Sequence, residues 1–130
     1  MKPVQTNKAP SAIGPYSQAI IANGVVYTSG QIALTPQGGE ELLKEDVGVQ
    51  AIAVLNNLQA VLEEAGSSLS DVIKTTIFLA DMDSFASVNA VYEKAFGDHK
   101  PARSTVAVKT LPKNALVEID AVALVTNYSF

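Results

Sequence analysis

The sequence contains no cysteine, and its single histidine is His99. Without cysteine there is no disulfide, no thiolate nucleophile and no cysteine-based metal site. One histidine cannot hold a metal ion unless several carboxylates lie near it, and no acidic residues are spaced to do so. His99 lies in a polar stretch before Pro101 and is predicted to be a solvated loop residue. Because a nucleophile-elbow motif and a phosphate-binding loop are also missing, we expect no metal and no cofactor.

Charged residues are scarce, at 17% of the chain, whereas about 25% is usual for soluble domains. The formal net charge is -4, and no cluster of Lys and Arg could follow a phosphate backbone. Nucleic acid is therefore not an expected partner. The low charge, together with 48% hydrophobic residues, indicates that another copy of the chain covers part of the apolar surface. A monomer with an unusually large core is the alternative.

Long hydrophobic runs are also missing from the sequence. Residues 1–6 lack the apolar stretch of a signal peptide, and no apolar run approaches the roughly 18 residues of a membrane-spanning helix. We therefore expect no membrane association and, by elimination, a cytoplasmic location. The length of 130 residues predicts a single domain over residues 1–130.

Turn and periodicity signals predict the secondary structure. Asn23 and Gly24 lie between two apolar runs and favour the positive φ of a tight turn, which predicts a hairpin of residues 18–22 and 25–29. Apolar residues recur at helical spacing over 46–65. The other predicted elements are an extended piece at 32–34, strands at 72–79, 104–109 and 116–125, a helix at 84–96, and N-caps at Asp46, Asp81 and Asp83.

This order of elements predicts an α/β (α+β) fold, with a mixed sheet of about six strands and two helices on one face. Strands separated by helices require crossover connections that pack on the sheet. Two helices cover only one face, whereas the strands after residue 100 carry apolar residues on both faces. Packing of the second face against another copy of the chain is the simplest arrangement.

Arg103 is the only arginine among nine basic residues. Its planar fork matches a carboxylate in bidentate geometry and stays charged at any relevant pH. It lies directly before a strand that is predicted to be buried, so the choice of arginine indicates a geometric need such as binding a ligand carboxylate. A structural ion pair with Glu118 or Asp120 explains the arginine equally well.

Glu118 lies in the middle of an apolar strand, where a carboxylate must be paired, hydrogen-bonded or shifted in pKa. It is therefore a functional candidate, or else part of an interface ion pair. Asp120 lies on the same side of that strand by alternation. Gly30 interrupts another strand, where it either lets a ligand approach the backbone or forms a plain bulge.

Two further residues are candidates. Tyr16, between Pro15 and Ser17, is either an aromatic lid or a side chain that fills the core. Asn89 lies on the apolar face of the helix predicted at 84–96 and is expected to fix nearby backbone groups, because a buried asparagine needs partners.

Several segments are specific when they are taken together and in order. The strongest is the C-terminal signature, which combines PARSTV at 101–106, LP at 111–112 and VEI at 117–119. Supporting segments are AIGPYSQ at 12–18, TSGQ at 28–31, KTT at 74–76 and FASVN at 85–89. Over essentially its whole length the chain resembles the reactive intermediate/imine deaminase family, also called RidA or YjgF-like.

The resemblance implies a chorismate-mutase-like fold and a homotrimer with ligand sites in clefts between subunits. It also implies a cofactor-free hydrolysis that converts 2-aminoacrylate, 2-iminopropanoate and 2-iminobutanoate to 2-keto acids and ammonia. The expected partners are then small imine, enamine or keto-acid carboxylates. The alternative is a non-catalytic regulator that binds small carboxylates, or a partner-binding protein, because family members have also been described as regulators.

By the same resemblance, Arg103 binds the substrate carboxylate, and Glu118 holds the attacking water and moves protons. The backbone carbonyl of Thr105 orients that water or the imine nitrogen. Two positions depart from the pattern, because many relatives have Cys in place of Thr105 and Glu in place of Ala107. The remaining cleft residues implied by the resemblance are Tyr16, Ser29 and Gly30.

Overall fold

The computed structural model describes residues 1–127 as a six-stranded mixed sheet with two α-helices packed on one face. The strand order is β1-β2-β3-β6-β4-β5, and all neighbouring strands are antiparallel except the parallel pair β4 and β5. The predicted fold class is therefore confirmed. The elements are β1 (Lys2–Val4), β2 (Ala19–Ala22), β3 (Val25–Thr28), α1 (Val47–Glu64), β4 (Val72–Leu79), α2 (Phe85–Phe96), β5 (Ala102–Ala107) and β6 (Val117–Leu124), with short 3-10 turns at Glu41–Lys44, Leu69–Asp71, Met82–Ser84 and Pro112–Asn114.

The elements with strong local signals form where the sequence predicts them. Asn23 and Gly24 have φ values of 52° and 77°, as the hairpin turn between β2 and β3 requires. The Asp46 side chain accepts a hydrogen bond from the backbone N–H of Val49 and so caps α1. Asp81 accepts from the N–H of Asp83 and so caps the 3-10 turn Met82–Ser84. The N-cap residue of α2 is Ser84, so the predictions that Asp81 or Asp83 caps this helix are wrong.

One strand prediction is wrong, and one strand is not predicted from the sequence. Residues 32–34 bend instead of pairing, because the Leu34 N–H donates to the carbonyl of Ile32, and only Gln31 forms an isolated bridge, with Ile119. The sixth strand is instead β1, which the sequence analysis missed. It has three residues and contains Pro3, and a proline is tolerated there because β1 lies at an edge of the sheet.

The strand predicted at 104–109 begins two residues earlier, so Arg103 lies inside β5 and not before it. The prediction that this strand is buried is also wrong for the single subunit. β5 is the second edge of the sheet, and only Thr105 among its residues is half-buried while the others are exposed. Register pairs Arg103 with Thr75 of β4, which places both residues on the same face of the sheet.

The two faces of the sheet have different surroundings. The face toward the helices is fully packed, and β6 contributes Val117, Ile119 and other alternate residues to it. The opposite face carries Glu118 and the apolar side chains of Tyr27 and Leu124, which are 50% and 45% exposed. Among residues 1–127 no helix covers this second face, and only the segment around Tyr16 lies against the part of it near Glu118. No helix in the same part of the chain is long and apolar enough to cross a membrane.

Candidate functional site

Arg103 is held on the helix-covered face of the sheet by residues of α2. Its Nη1 donates a 2.7 Å hydrogen bond to Oδ1 of Asn89. The guanidinium carbon lies 5.0 Å from the centre of the Tyr92 ring and 5.6 Å from that of Phe85, which is within cation–π range. The fork is therefore oriented by one face of a helix, although the Arg103 side chain as a whole is exposed.

No ion pair accounts for Arg103. A salt bridge joins Lys113 and Glu40, but Arg103 forms none with the residues that the structure describes. The alternative of an ion pair with Glu118 or Asp120 is therefore wrong for the subunit, because both acids lie on the opposite face of the sheet. The positive charge of Arg103 is left available to a ligand anion.

Asn89 does not fix backbone groups, as the sequence analysis expected, but contacts the arginine. The signal was present in the sequence, because Phe85, Asn89 and Tyr92 share one helix face, but the partner of that face is set by tertiary packing. Behind the arginine, the Tyr92 hydroxyl and Thr75 Oγ1 are 2.7 Å apart and buried. Burial raises the pKa of Tyr92, so this phenol stays neutral and serves as a fixed polar support.

A cavity of about 370 Å³ opens beside Arg103, between the end of α2 and the loop that leads into β5. Its wall includes His99, which is half-buried and has Nε2 2.6 Å from the carbonyl oxygen of Val72. The prediction of a solvated loop histidine is therefore wrong, because this ring fastens the loop to the start of β4. The lining also includes Asn89, Tyr92, Lys100 and the acidic Glu93, which forms no salt bridge with Arg103.

Thr105 lies two residues after Arg103 on the same face of β5. Its Oγ1 is buried and has no hydrogen-bond partner among the residues that the structure describes. A buried hydroxyl without a partner is costly and therefore uncommon. The position at which many relatives have Cys thus carries an unsatisfied polar atom next to the arginine.

Glu118 belongs to a second group of residues on the other face of the sheet. A small cavity of about 100 Å³ is lined by Glu118, Gly30 and Tyr16, the last of which is 51% exposed. Gly30 lies directly against the carboxylate, since a Cβ at this position would be 2.8 Å from Glu118 Cδ. Ser29 is not part of this lining, and its Oγ donates a 2.6 Å hydrogen bond to the carbonyl of Ser17.

The environment of Glu118 favours its neutral form. Burial raises the pKa of this carboxyl above its ordinary value, and the nearby charge of Asp120 raises it further. The pKa of Asp120 is itself raised by burial, against the opposing effects of a hydrogen bond from the Thr76 backbone and the charge of Lys74. Glu118 is thus a carboxyl able to exchange a proton nearer neutral pH than an ordinary glutamate.

The predicted site residues therefore fall into two groups within one subunit. Arg103 and Thr105 lie on the helix-covered face, and Glu118, Gly30 and Tyr16 lie around the open face. Glu118 alternates along β6 with the buried Val117 and Ile119, whereas Arg103 shares the face of the fully buried Thr75. A small substrate cannot contact both groups in a single copy of the chain, because the sheet separates them.

The fold is that of a recognised protein class. A family model described as Endoribonuclease L-PSP matches residues 6–125, and the chain belongs to this family. A RutC family protein of Synechocystis is 54% identical over 125 residues, covering 95% of this chain and 96% of the relative. The 2-iminobutanoate/2-iminopropanoate deaminase of Escherichia coli is 44% identical over 126 residues, covering 95% of this chain and 97% of the enzyme.

Solved structures agree with this assignment. Yeast Mmf1 superimposes with a TM-score of 0.92 at 43% identity, covering 96% of this chain and 98% of that one. E. coli TdcF with bound serine gives a TM-score of 0.90 at 43% identity, covering 97% and 100%. The resemblance to the RidA/YjgF-like family is therefore confirmed.

Proposed function

We propose that this protein hydrolyses reactive 2-imino and 2-enamino acids, such as 2-iminopropanoate and 2-iminobutanoate, to 2-keto acids and ammonia without a cofactor. The observation that carries the proposal is the oriented arginine, Arg103, which no carboxylate neutralises among residues 1–127. Relatives named as deaminases acting on these imines, and a relative solved with serine bound, support a small amino-acid-like substrate.

Arg103 would bind the substrate carboxylate. Asn89 occupies only Nη1, so the other N–H groups of the fork are left to donate to the two carboxylate oxygens. The contact fixes where the adjacent C=N bond lies. Holding that bond beside a positioned water supplies most of the acceleration that such a reactive electrophile requires.

Glu118 would handle the protons of the hydrolysis. As water adds to the carbon of the protonated imine, the carboxylate accepts a proton from the water and the C=N electron pair passes to the nitrogen. The carboxylic acid then gives this proton to the nitrogen. The C–N bond breaks to release ammonia as the carbinol hydroxyl returns its proton to the carboxylate and becomes the keto oxygen. A pKa raised by burial suits both half-reactions near neutral pH. The Thr105 backbone carbonyl would orient the water or the imine nitrogen, and Gly30 would add a backbone contact, with Ser29 and Tyr16 at the wall.

The site would form between copies of the chain in a homotrimer. Arg103 and Thr105 come from one subunit, and Glu118, Gly30 and Tyr16 come from its neighbour, because the sheet separates the two groups in one copy. The uncovered apolar sheet face supports such an assembly.

The activity is tested by coupling the purified protein to a threonine dehydratase in a buffer with few nucleophiles and measuring keto-acid release. We expect release faster than the buffer rate, and no acceleration would overturn the proposal. Arg103→Lys is expected to lose most of the activity, because an ammonium cannot reproduce the bidentate fork. Normal activity in this variant would show that Arg103 does not bind the carboxylate.

The shared site is tested by mixing two inactive variants, Arg103→Lys and Glu118→Gln, through co-unfolding and refolding at equal amounts. In a cyclic trimer, about one quarter of the interfaces would join an intact Arg103 to an intact Glu118, so about one quarter of wild-type activity should return. Each variant refolded alone is the control. No recovery, with mixed trimers present by mass spectrometry, would place both residues in one subunit.

A non-catalytic carboxylate sensor is the second candidate, and a relative that is 47% identical over 123 residues is named as a regulator, AldR. A sensor needs Arg103 but has no use for a proton-exchanging carboxyl at Glu118. Glu118→Gln separates the two functions, because for an enzyme it abolishes turnover while 2-keto acid binding persists. Binding without any turnover in the wild-type protein would favour the sensor.

A further inference from the structure

The hydrogen bond between Asn89 and Arg103 has a fixed donor and a fixed acceptor. A guanidinium has only donors, so the amide oxygen and not the amide nitrogen must face it at 2.7 Å. Phe85 and Tyr92, from the same helix as Asn89, lie at 5.6 Å and 5.0 Å from the guanidinium carbon. One face of α2 therefore both binds Nη1 of Arg103 and supplies the aromatic rings beside the guanidinium.

The partner of the arginine is neutral. A carboxylate at the same place would form a stronger, charge-assisted bond and hold the fork at least as firmly, but it would cancel the charge that attracts an anion. An asparagine orients the fork and leaves its charge intact. The amide therefore orients the fork while its positive charge is preserved.

We propose that Asn89 is a positioning residue that aims the Arg103 guanidinium while leaving its charge uncompensated, and that this makes the site select ionised 2-imino and 2-keto acids over their neutral amides. This inference rests on the proposed function. A positioning residue is needed because Arg103 is exposed, although the Phe85 and Tyr92 rings lie beside it. An exposed arginine that is not already oriented loses rotamer freedom when it binds a ligand, and this loss weakens binding.

Two substitutions of Asn89 separate its effect on the orientation of Arg103 from its effect on the charge of Arg103. Asn89→Asp keeps an acceptor at the same place but neutralises the fork, and Asn89→Leu keeps the approximate shape and the charge but releases the fork. We expect Asn89→Asp to bind 2-oxobutanoate at least about ten-fold more weakly than wild type, which is the scale of a charged hydrogen bond. We expect it to bind 2-oxobutanamide about as well as wild type does, so the preference for the acid over the amide falls.

Asn89→Leu is expected to bind both ligands more weakly while keeping its preference for the acid. The matched control is Asn56→Asp, an exposed position on α1 that makes the same change in net charge. It should leave both affinities unchanged, which excludes a long-range effect of one added negative charge.

The orientation of the fork can be measured without a ligand. Because Arg103 is the only arginine, its guanidinium gives a single, unambiguous set of side-chain NMR signals. We expect slow rotation about the Cζ–Nη bond of the Asn89-bound group in wild type and Asn89→Asp, and fast averaging in Asn89→Leu. A freely rotating wild-type group, or one unaffected by Asn89→Leu, would overturn the positioning role whatever the ligand.

The two proposals fail differently. Wild-type affinity and acid preference in Asn89→Asp would overturn the charge argument, although the deaminase proposal would stand. If wild type binds no 2-keto acid at all, the proposed function and the selectivity based on it are both wrong, and the NMR comparison alone decides whether Asn89 positions the arginine.

Discussion

Gly30→Ala is expected to displace the Glu118 carboxylate without unfolding the protein. The added Cβ would lie 2.8 Å from Glu118 Cδ, whereas ordinary carbon contacts are about 3.5–4.0 Å, so the carboxylate must retreat by roughly 1 Å. It can do so because it is the end of a flexible side chain and Gly30 does not have a positive φ. A misplacement of about 1 Å costs on the order of 100-fold in rate.

The measurement is kcat/KM for imine hydrolysis in the dehydratase-coupled assay, together with a thermal unfolding curve. We expect a loss of about 100-fold with little change in the unfolding temperature. Gly48→Ala in the first turn of α1 is the matched control, since its added methyl group would contact Asp46 Oδ1 at 3.3 Å and not Glu118, and it should keep full activity. Wild-type kinetics in Gly30→Ala would refute the view that Gly30 fixes the position of this carboxylate.

Two other substitutions test single groups at the site. Thr105→Val removes a buried hydroxyl that has no hydrogen-bond partner in residues 1–127. The free energy of unfolding, measured in urea, should therefore rise by about 1–3 kcal/mol. A lower free energy of unfolding would mean that the hydroxyl forms a hydrogen bond in solution. Asp120→Asn should lower the pKa of Glu118 toward its ordinary value, because the Asp120 charge raises it. The acidic limb of the kcat/KM profile, where a raised folded-state pKa causes loss of the carboxylate, should then move to lower pH; an unmoved limb would show that another group titrates there.

Local signals were sufficient for elements whose causes are local. The hairpin needed two residues able to adopt positive φ, and Asn23 and Gly24 provide them. The β-branched run at 72–79 became β4 with the predicted bounds. The edge strands are harder to predict. No apolar pattern marks β1, which has three residues and contains a proline, and the apolar residues of β5 predict a buried strand although the subunit leaves it exposed at an edge.

The candidate residues were named from the sequence, but their grouping was not. Arg103 was singled out by composition and by its resemblance to the family signature, and Glu118 by its place in an apolar strand. The sequence indicates that Asn89 needs a partner but does not identify Arg103, because a helix face does not reveal which strand it covers. The contact of His99 is hidden for a related reason, since its partner is a backbone carbonyl 27 positions away in sequence.

The sequence by itself determined both helices, most of the strands, the family, and the choice of Arg103 and Glu118 as candidate residues. Alternation along a strand also tells which neighbours share a face, as with Glu118 and Asp120. It cannot tell which faces of different strands coincide, because that depends on pairing register across β5, β4 and β6. Only the tertiary structure decided that Arg103 and Glu118 lie on opposite faces of one sheet, so that a site using both residues requires a second copy of the chain.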